Sequence, residues 1–111
     1  MRGLIALAAL PLAACGHAGG ASADLARQTI ADHCGACHTV PGVAQARGRV
    51  GPDLRGIGKQ QIIAGTLPNS RANMIRWITH AQSVSPGSVM PDIPLTAAQA
   101  QAVADYLYSL D

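Results

Sequence analysis

The chain has no Phe and no Glu, one Trp (Trp77), two Tyr (Tyr106 and Tyr108) and one Lys (Lys59) among its 111 residues. A chain of this length makes one domain at most, and a short domain buries a modest core. With so few rings, much of the volume of that core has to come from something other than aromatic side chains. The charge balance is also thin, with Lys+Arg 8 against Asp+Glu 6. Without Arg2, which sits in a leader-like segment, the excess falls to a single charge. A nucleic-acid binder normally shows a basic patch or stripe, so no nucleic-acid partner is expected. No segment alternates with strand periodicity and there are no internal repeats, which leaves an all-α fold as the expectation.

Against these absences stands one dense stretch, Cys34-Gly35-Ala36-Cys37-His38. It is C-x-x-C-H, the pattern for covalent attachment of a c-type haem. Each thiol can add to one haem vinyl group, and the His38 imidazole then stands where it can reach the iron. A haem would also supply the volume that the aromatic side chains do not. Its two ionised propionates would move the net charge without Arg2 to about −1. Two other readings of the motif exist. A redox disulfide of the thioredoxin type follows a strand in a βαβ unit, a pattern missing here. A structural zinc needs four ligands, and with no second Cys pair His17, His33 and His80 would have to contribute.

Residues 1–14 read as a lipoprotein signal peptide. Arg2 is its only charge before Leu4 to Leu12, an apolar stretch too short to span a bilayer as a stable helix. Leu12-Ala13-Ala14-Cys15 resembles a bacterial lipobox, in which the Cys is lipidated and becomes the mature N-terminus. Lipidation of Cys15 would place the protein on the periplasmic side of a membrane. It would also remove a third free thiol from an oxidising compartment. Residues 15–23 are then the lipidated Cys and a flexible small-residue tether, and 24–111 the folded domain. The alternative is cleavage after Ala21-Ser22-Ala23, an A-x-A site, which would release a soluble periplasmic protein beginning at Asp24.

A helix is expected from Asp24 to Asp32, capped by Asp24 or Ser22, with Leu25, Ala26, Thr29 and Ile30 on its buried side. From His38 to Lys59 seven Gly and Pro residues forbid a long helix, so this stretch is expected to wrap the haem as a loop. Gln60 to Gly65 reads as a short helical turn. Asn69 or Ser70 caps the next helix, which runs to about Gln82 with Met74, Trp77 and Ile78 inward. Pro86, Pro91 and Pro94 make Ser85 to Pro94 extended. Thr96-Ala97-Ala98-Gln99 is a capping box, and Val103, Tyr106, Leu107 and Leu110 follow at helical spacing.

An iron held by His38 has a sixth position, for which Met74 and Met90 are the two thioethers outside the leader. Met74 lies inside a helix beside Trp77, where methionine usually packs in a core. Met90 lies in Pro86-Gly87-Ser88-Val89-Met90-Pro91, a segment that the prolines stiffen. Met90 is therefore the expected ligand, and His17, His33 and His80 are read as surface residues.

The chain resembles the class I c-type cytochromes, most of all the cytochrome c domain fused to subunit II of some haem–copper oxidases. The resemblance covers about Asp24 to Asp111. It rests on Cys34 to Val40, Val50-Gly51-Pro52-Asp53-Leu54, Asn73 to Ile78, Pro86 to Pro91 and Val103-Ala104-Asp105-Tyr106-Leu107. It implies a small all-α fold of three to five helices around one covalently bound haem c. It further implies that Pro52 offers its carbonyl to the ligand histidine, that Ser88 lies near a haem propionate, that Trp77 faces the haem, and that Tyr106 faces the first helix. In function it implies a monomeric electron carrier, not an enzyme. That carrier would serve redox protein partners: a terminal oxidase or, alternatively, a dehydrogenase or cytochrome complex. A haem gas sensor or peroxidase-like enzyme with a dissociable Met is the other class, although Asp92 is the only acid near Met90. Two departures stand out. Ala26 and Ile30 occupy positions where the family usually has Gly and an aromatic, so a looser helix crossing is expected. The lysine ring of the soluble mitochondrial proteins is missing. Arg47, Arg49, Arg55 and Lys59 offer either a smaller basic edge or plain solvated surface.

Overall fold

The computed structural model describes residues 17–111 and, ahead of them, only Ala9. Cys15 and the rest of the leader therefore lie outside the described residues. Helix α1 spans His17–His33 and begins seven residues before the expected start at Asp24. The stretch between them has no proline, and its three alanines, the strongest helix formers, stand against the weaker Gly19 and Gly20. Ser22 and Ala23, assigned to the tether by sequence, also line a cleft with residues of the last helix, so the end of the added segment nearest Asp24 gains tertiary contacts. Ala26, Thr29 and Ile30 form the buried stripe of α1, while Leu25, one position off that stripe, is exposed.

The motif continues directly from α1. The Cys34 and Gly35 amides both donate to the Ile30 carbonyl at 2.9 Å, and the His38 amide donates to Cys34 at 2.9 Å. The following loop has Val40, Val43 and Ala46 buried and a single antiparallel bridge between Thr39 and Arg47. One 3-10 turn forms at Ile57–Lys59.

The stretch read as a helical turn is instead a small hairpin of β1 (Ile62–Ile63) and β2 (Leu67–Pro68), paired Ile63 to Leu67. Two consecutive β-branched residues favour the extended form. Ala64 and Gly65 both take positive φ (54° and 69°) in the connecting turn, which a helix would not allow.

Helix α2 (Arg71–Thr79) is capped by Ser70, whose hydroxyl accepts from the Asn73 amide at 3.1 Å. Asn69, the other candidate, instead donates its side-chain amide to the Ile57 and Gln60 carbonyls at 2.9 and 2.7 Å and accepts from the Tyr108 hydroxyl. The helix ends at Thr79 and does not run on to Gln82. The Thr79 hydroxyl donates back to the Ile75 carbonyl at 2.7 Å, a local bond that competes with helix continuation. His80, at φ −137° and ψ 43°, breaks the path, and α3 (Ala81–Val84) restarts in a new direction.

The proline-rich stretch opens with a turn, closed by the Ser88 amide on the Ser85 carbonyl at 3.0 Å, and becomes extended only from Pro91. Its far end is tied back to α2 by the Ile93 amide on the Ile78 carbonyl at 3.2 Å. Helix α4 (Ala97–Ser109) opens with the full capping box between Thr96 and Gln99. It packs against both α1 and α2. Ala26 and Ile30 are enclosed with Val103, Tyr106 and Leu107 in one core, so the substituted crossing exposes no seam. Tyr106 lies under the Arg27 guanidinium, 5.4 Å from the ring centre, and its hydroxyl donates to the Pro41 carbonyl at 2.7 Å. The architecture is helical, with a short two-stranded hairpin and one isolated bridge beside it among the described residues.

Candidate functional site

The helices do not close on one another completely. They leave a cavity of about 570 Å³, a volume in the range that holds a cofactor-sized ligand. Ile30 from α1, Met74 and Ile78 from α2, and Val103 and Leu107 from α4 give it apolar walls. Cys34, Cys37, His38, Pro52, Trp77, Ser88 and Met90, seven residues spread over more than fifty positions of sequence, all line this one space. Cys15 lies outside the described residues. Of the remaining histidines with a described side chain, His33 is exposed at the rim, and His80 is exposed with its ring against the Thr79 hydroxyl.

The His38 ring is fixed by its backbone neighbours. Its Nδ1 lies 2.7 Å from the Pro52 carbonyl. A carbonyl only accepts, so Nδ1 carries the proton, and in the neutral ring the lone pair then lies on Nε2. The loop bearing Pro52 is held to the motif by the Gly51 amide on the Cys37 carbonyl at 2.7 Å. Gly51 lies so close to the imidazole that a Cβ there would come within 2.4 Å of Cε1 and 2.8 Å of Nδ1. No side chain fits between loop and ring, which explains the glycine.

Both thiols are free and half-buried. Burial first, and the neighbouring Cys37 second, push the Cys34 thiol up to about 11, so near neutral pH it is an uncharged part of the wall. Met90 is half-buried, with its amide donating to the Ser88 hydroxyl at 3.2 Å. Met74 also reaches the cavity but is almost wholly enclosed in the core, at 2% exposure.

An imidazole nitrogen, a thioether sulfur, two thiols and an apolar lining fit an iron porphyrin, for which nitrogen and soft sulfur donors are the usual ligand set. They do not fit the alternatives. The motif follows a helix, not the strand of a thioredoxin-like unit, and among the described residues no three His, Cys, Asp or Glu side chains gather to hold a zinc.

The family model for cytochrome c matches residues 23–111. The chain belongs to the cytochrome c family. Its members bind haem c covalently, typically one per domain, and transfer electrons through it. Cytochrome c oxidase subunit 2 of Bacillus sp. (strain PS3) is 35% identical to it over 81 residues, covering 69% of this chain and 23% of that protein. The cytochrome thus spans less than a quarter of the length of that curated relative.

Sequence reasoning missed the contacts that hold the Met90 segment. The Gln82 side-chain amide donates to the Ser88 and Met90 carbonyls, both at 2.8 Å, and accepts from the Gly87 amide at 3.3 Å. The Gln82 backbone amide donates to Asp92 Oδ1 at 2.9 Å. These bonds join a side chain to backbone five to ten positions away, and no spacing rule signals them. Val50 and Val89, at 70% and 81% exposure, gave no signal in sequence either, although both stand at the cavity edge.

Proposed function

We propose that this cytochrome passes single electrons in a bacterial respiratory chain, close to a terminal oxidase, from the periplasmic side of a membrane. In this reading Cys34 and Cys37 would hold the haem through thioethers, and His38 and Met90 would supply the two protein ligands to its iron. Haem c, when bound, supplies an iron that alternates between ferrous and ferric states. The chain's part is to keep the ligand set the same in both. Pro52 holds the proton of His38 on Nδ1, which leaves Nε2 free to ligate and makes it more basic. Ser88 stands at the cavity edge, near a propionate in this reading, and Trp77 forms part of the wall. The apolar walls exclude water, and with a thioether ligand they favour the ferrous state and raise the potential. With His38 and Met90 both bound to it, the iron would offer no site for a substrate.

The single observation that carries this reading is the 2.7 Å contact between His38 Nδ1 and the Pro52 carbonyl, in a cavity that Met90 also lines. The terminal-oxidase assignment is supported by the likeness to an oxidase subunit. For attachment, the proposed anchor is a lipid on Cys15. No described helix is long and apolar enough to cross a membrane.

An absorption spectrum with two variants tests the ligand assignment. Met90→Ala is expected to keep the covalent haem, lose the weak red band of Met–Fe(III), lower the potential and bind cyanide or carbon monoxide at once. Met74→Ala is expected to cost about 2–5 kcal/mol through the cavity it leaves, with the red band intact. Loss of the band in Met74→Ala but not in Met90→Ala would overturn the assignment.

A further inference from the structure

Proline restricts the φ angles of the Met90 segment but does not determine where the segment lies relative to the helices. That task falls to bonds between the segment and the body of the fold, and most of them converge on one residue. Gln82 lies in α3, next to the fully buried Ala81. Both of its amide protons are used, one on the Ser88 carbonyl and one on the Met90 carbonyl, at 2.8 Å each. Its oxygen accepts from the Gly87 amide at 3.3 Å. The orientation of the amide is not arbitrary: reversed, its oxygen would face two carbonyl oxygens and its NH₂ a backbone N–H. Gln82 is itself tied to the far end of the segment, through its backbone amide and Asp92 Oδ1 at 2.9 Å.

We propose that Gln82 is the positioning residue for Met90, holding residues 87, 88 and 90 against α3 so that the thioether stays within reach of the iron. The proposal rests on Met90 being the sixth ligand. The other bond at the Met90 backbone, from its amide to the Ser88 hydroxyl, lies within the segment and moves with it. Removing the Gln82 amide leaves two half-buried carbonyls and one N–H without their partners, and the segment gains freedom to swing away from α3. Ferric iron holds the soft thioether less strongly than ferrous iron does, so the loosening appears first in the oxidised protein.

The test uses the haem-loaded protein. Gln82→Met keeps the approximate size and removes all three bonds. Gln82→Glu keeps the acceptor oxygen and removes both donors, and it serves as the second variant if Gln82→Met does not fold. The rate of cyanide binding to the ferric form is expected to rise about 10- to 100-fold in both, as two or three net hydrogen bonds imply. The red band is expected to weaken in the ferric state. In Gln82→Met, amide exchange at Gly87 is expected to accelerate by a similar factor while the amides of α4 keep their protection. A merely structural role would lower the unfolding temperature without changing ligand entry at temperatures where the protein is folded. Cyanide rates within twofold of wild type in both variants would overturn the proposal, as would faster exchange spread evenly over α1 and α4. Met90→Ala separates the Gln82 role from the ligand assignment beneath it. A red band and slow cyanide binding in that variant would overturn the ligand assignment itself, and the Gln82 role with it.

Discussion

At the scale of single residues the site depends on close approach as much as on donors. Gly51 is the sharpest case, because the loop carrying Pro52 presses directly on the His38 ring. Gly51→Ala is expected to push the imidazole or the loop aside, weakening the Nδ1 contact and reducing the yield of haem-loaded protein several-fold. Gly65 provides the comparison. It has φ 69° and open space, with nothing within 4 Å of where a Cβ would sit. Gly65→Ala is therefore expected to cost only the left-handed backbone penalty of about 1–2 kcal/mol and to leave the haem spectrum unchanged. Spectra and thermal unfolding of the two variants check this. Equal effects at Gly51 and Gly65 would remove the close-approach explanation.

Between elements, Arg71 near the start of α2 donates from Nε and from one terminal guanidinium nitrogen to the Asp105 carboxylate on α4, at 2.7 and 3.2 Å. The hydrogen bonds to Arg71 hold the Asp105 carboxyl below the usual carboxylate range. A depressed carboxylate contributes stability above its unfolded-state pKa of about 4, and the contribution disappears as pH falls through the folded-state value. Asp105→Asn is therefore expected to unfold at a slightly lower temperature than wild type at pH 7. That gap is expected to close as the pH falls below the carboxylate range, and a series of melting curves measures it. A gap independent of pH would mean that the ion pair is not its source. Elements also show what was legible in advance. The Thr96–Gln99 box and the Ser70 cap are local chemistry within four residues, so they could be read from sequence, as could the stripe Ala26, Thr29, Ile30. The break at His80, the hairpin at Ile62–Pro68 and the Gln82 clamp depend on bonds and packing that come together only in three dimensions. The seven cavity residues were legible because each belongs to a short motif. The way the Met90 segment is held was not, because the Gln82 side chain bonds to backbone groups that leave no trace in residue identity.

For the molecule as a whole, the folded domain and the proposed lipid attachment are separable. The described residues that line the cavity run from Ile30 to Leu107, so under the proposed lipidation Cys15→Ser is expected to change location without changing the haem spectrum. Cell fractionation should find the variant soluble or unprocessed, and the intact mass of the wild type should include haem and lipid together. Unchanged membrane retention of Cys15→Ser would point to another anchor. Trp77 brings a different kind of consequence. It is the chain's one indole, and it stands in the wall of the cavity. A haem bound in that cavity would absorb the light the indole emits, so the haem-loaded protein is expected to fluoresce weakly and to brighten when α2 draws away from the haem. The same side chain that fills space beside the cofactor is thus a built-in lamp for watching the fold open, with no label added.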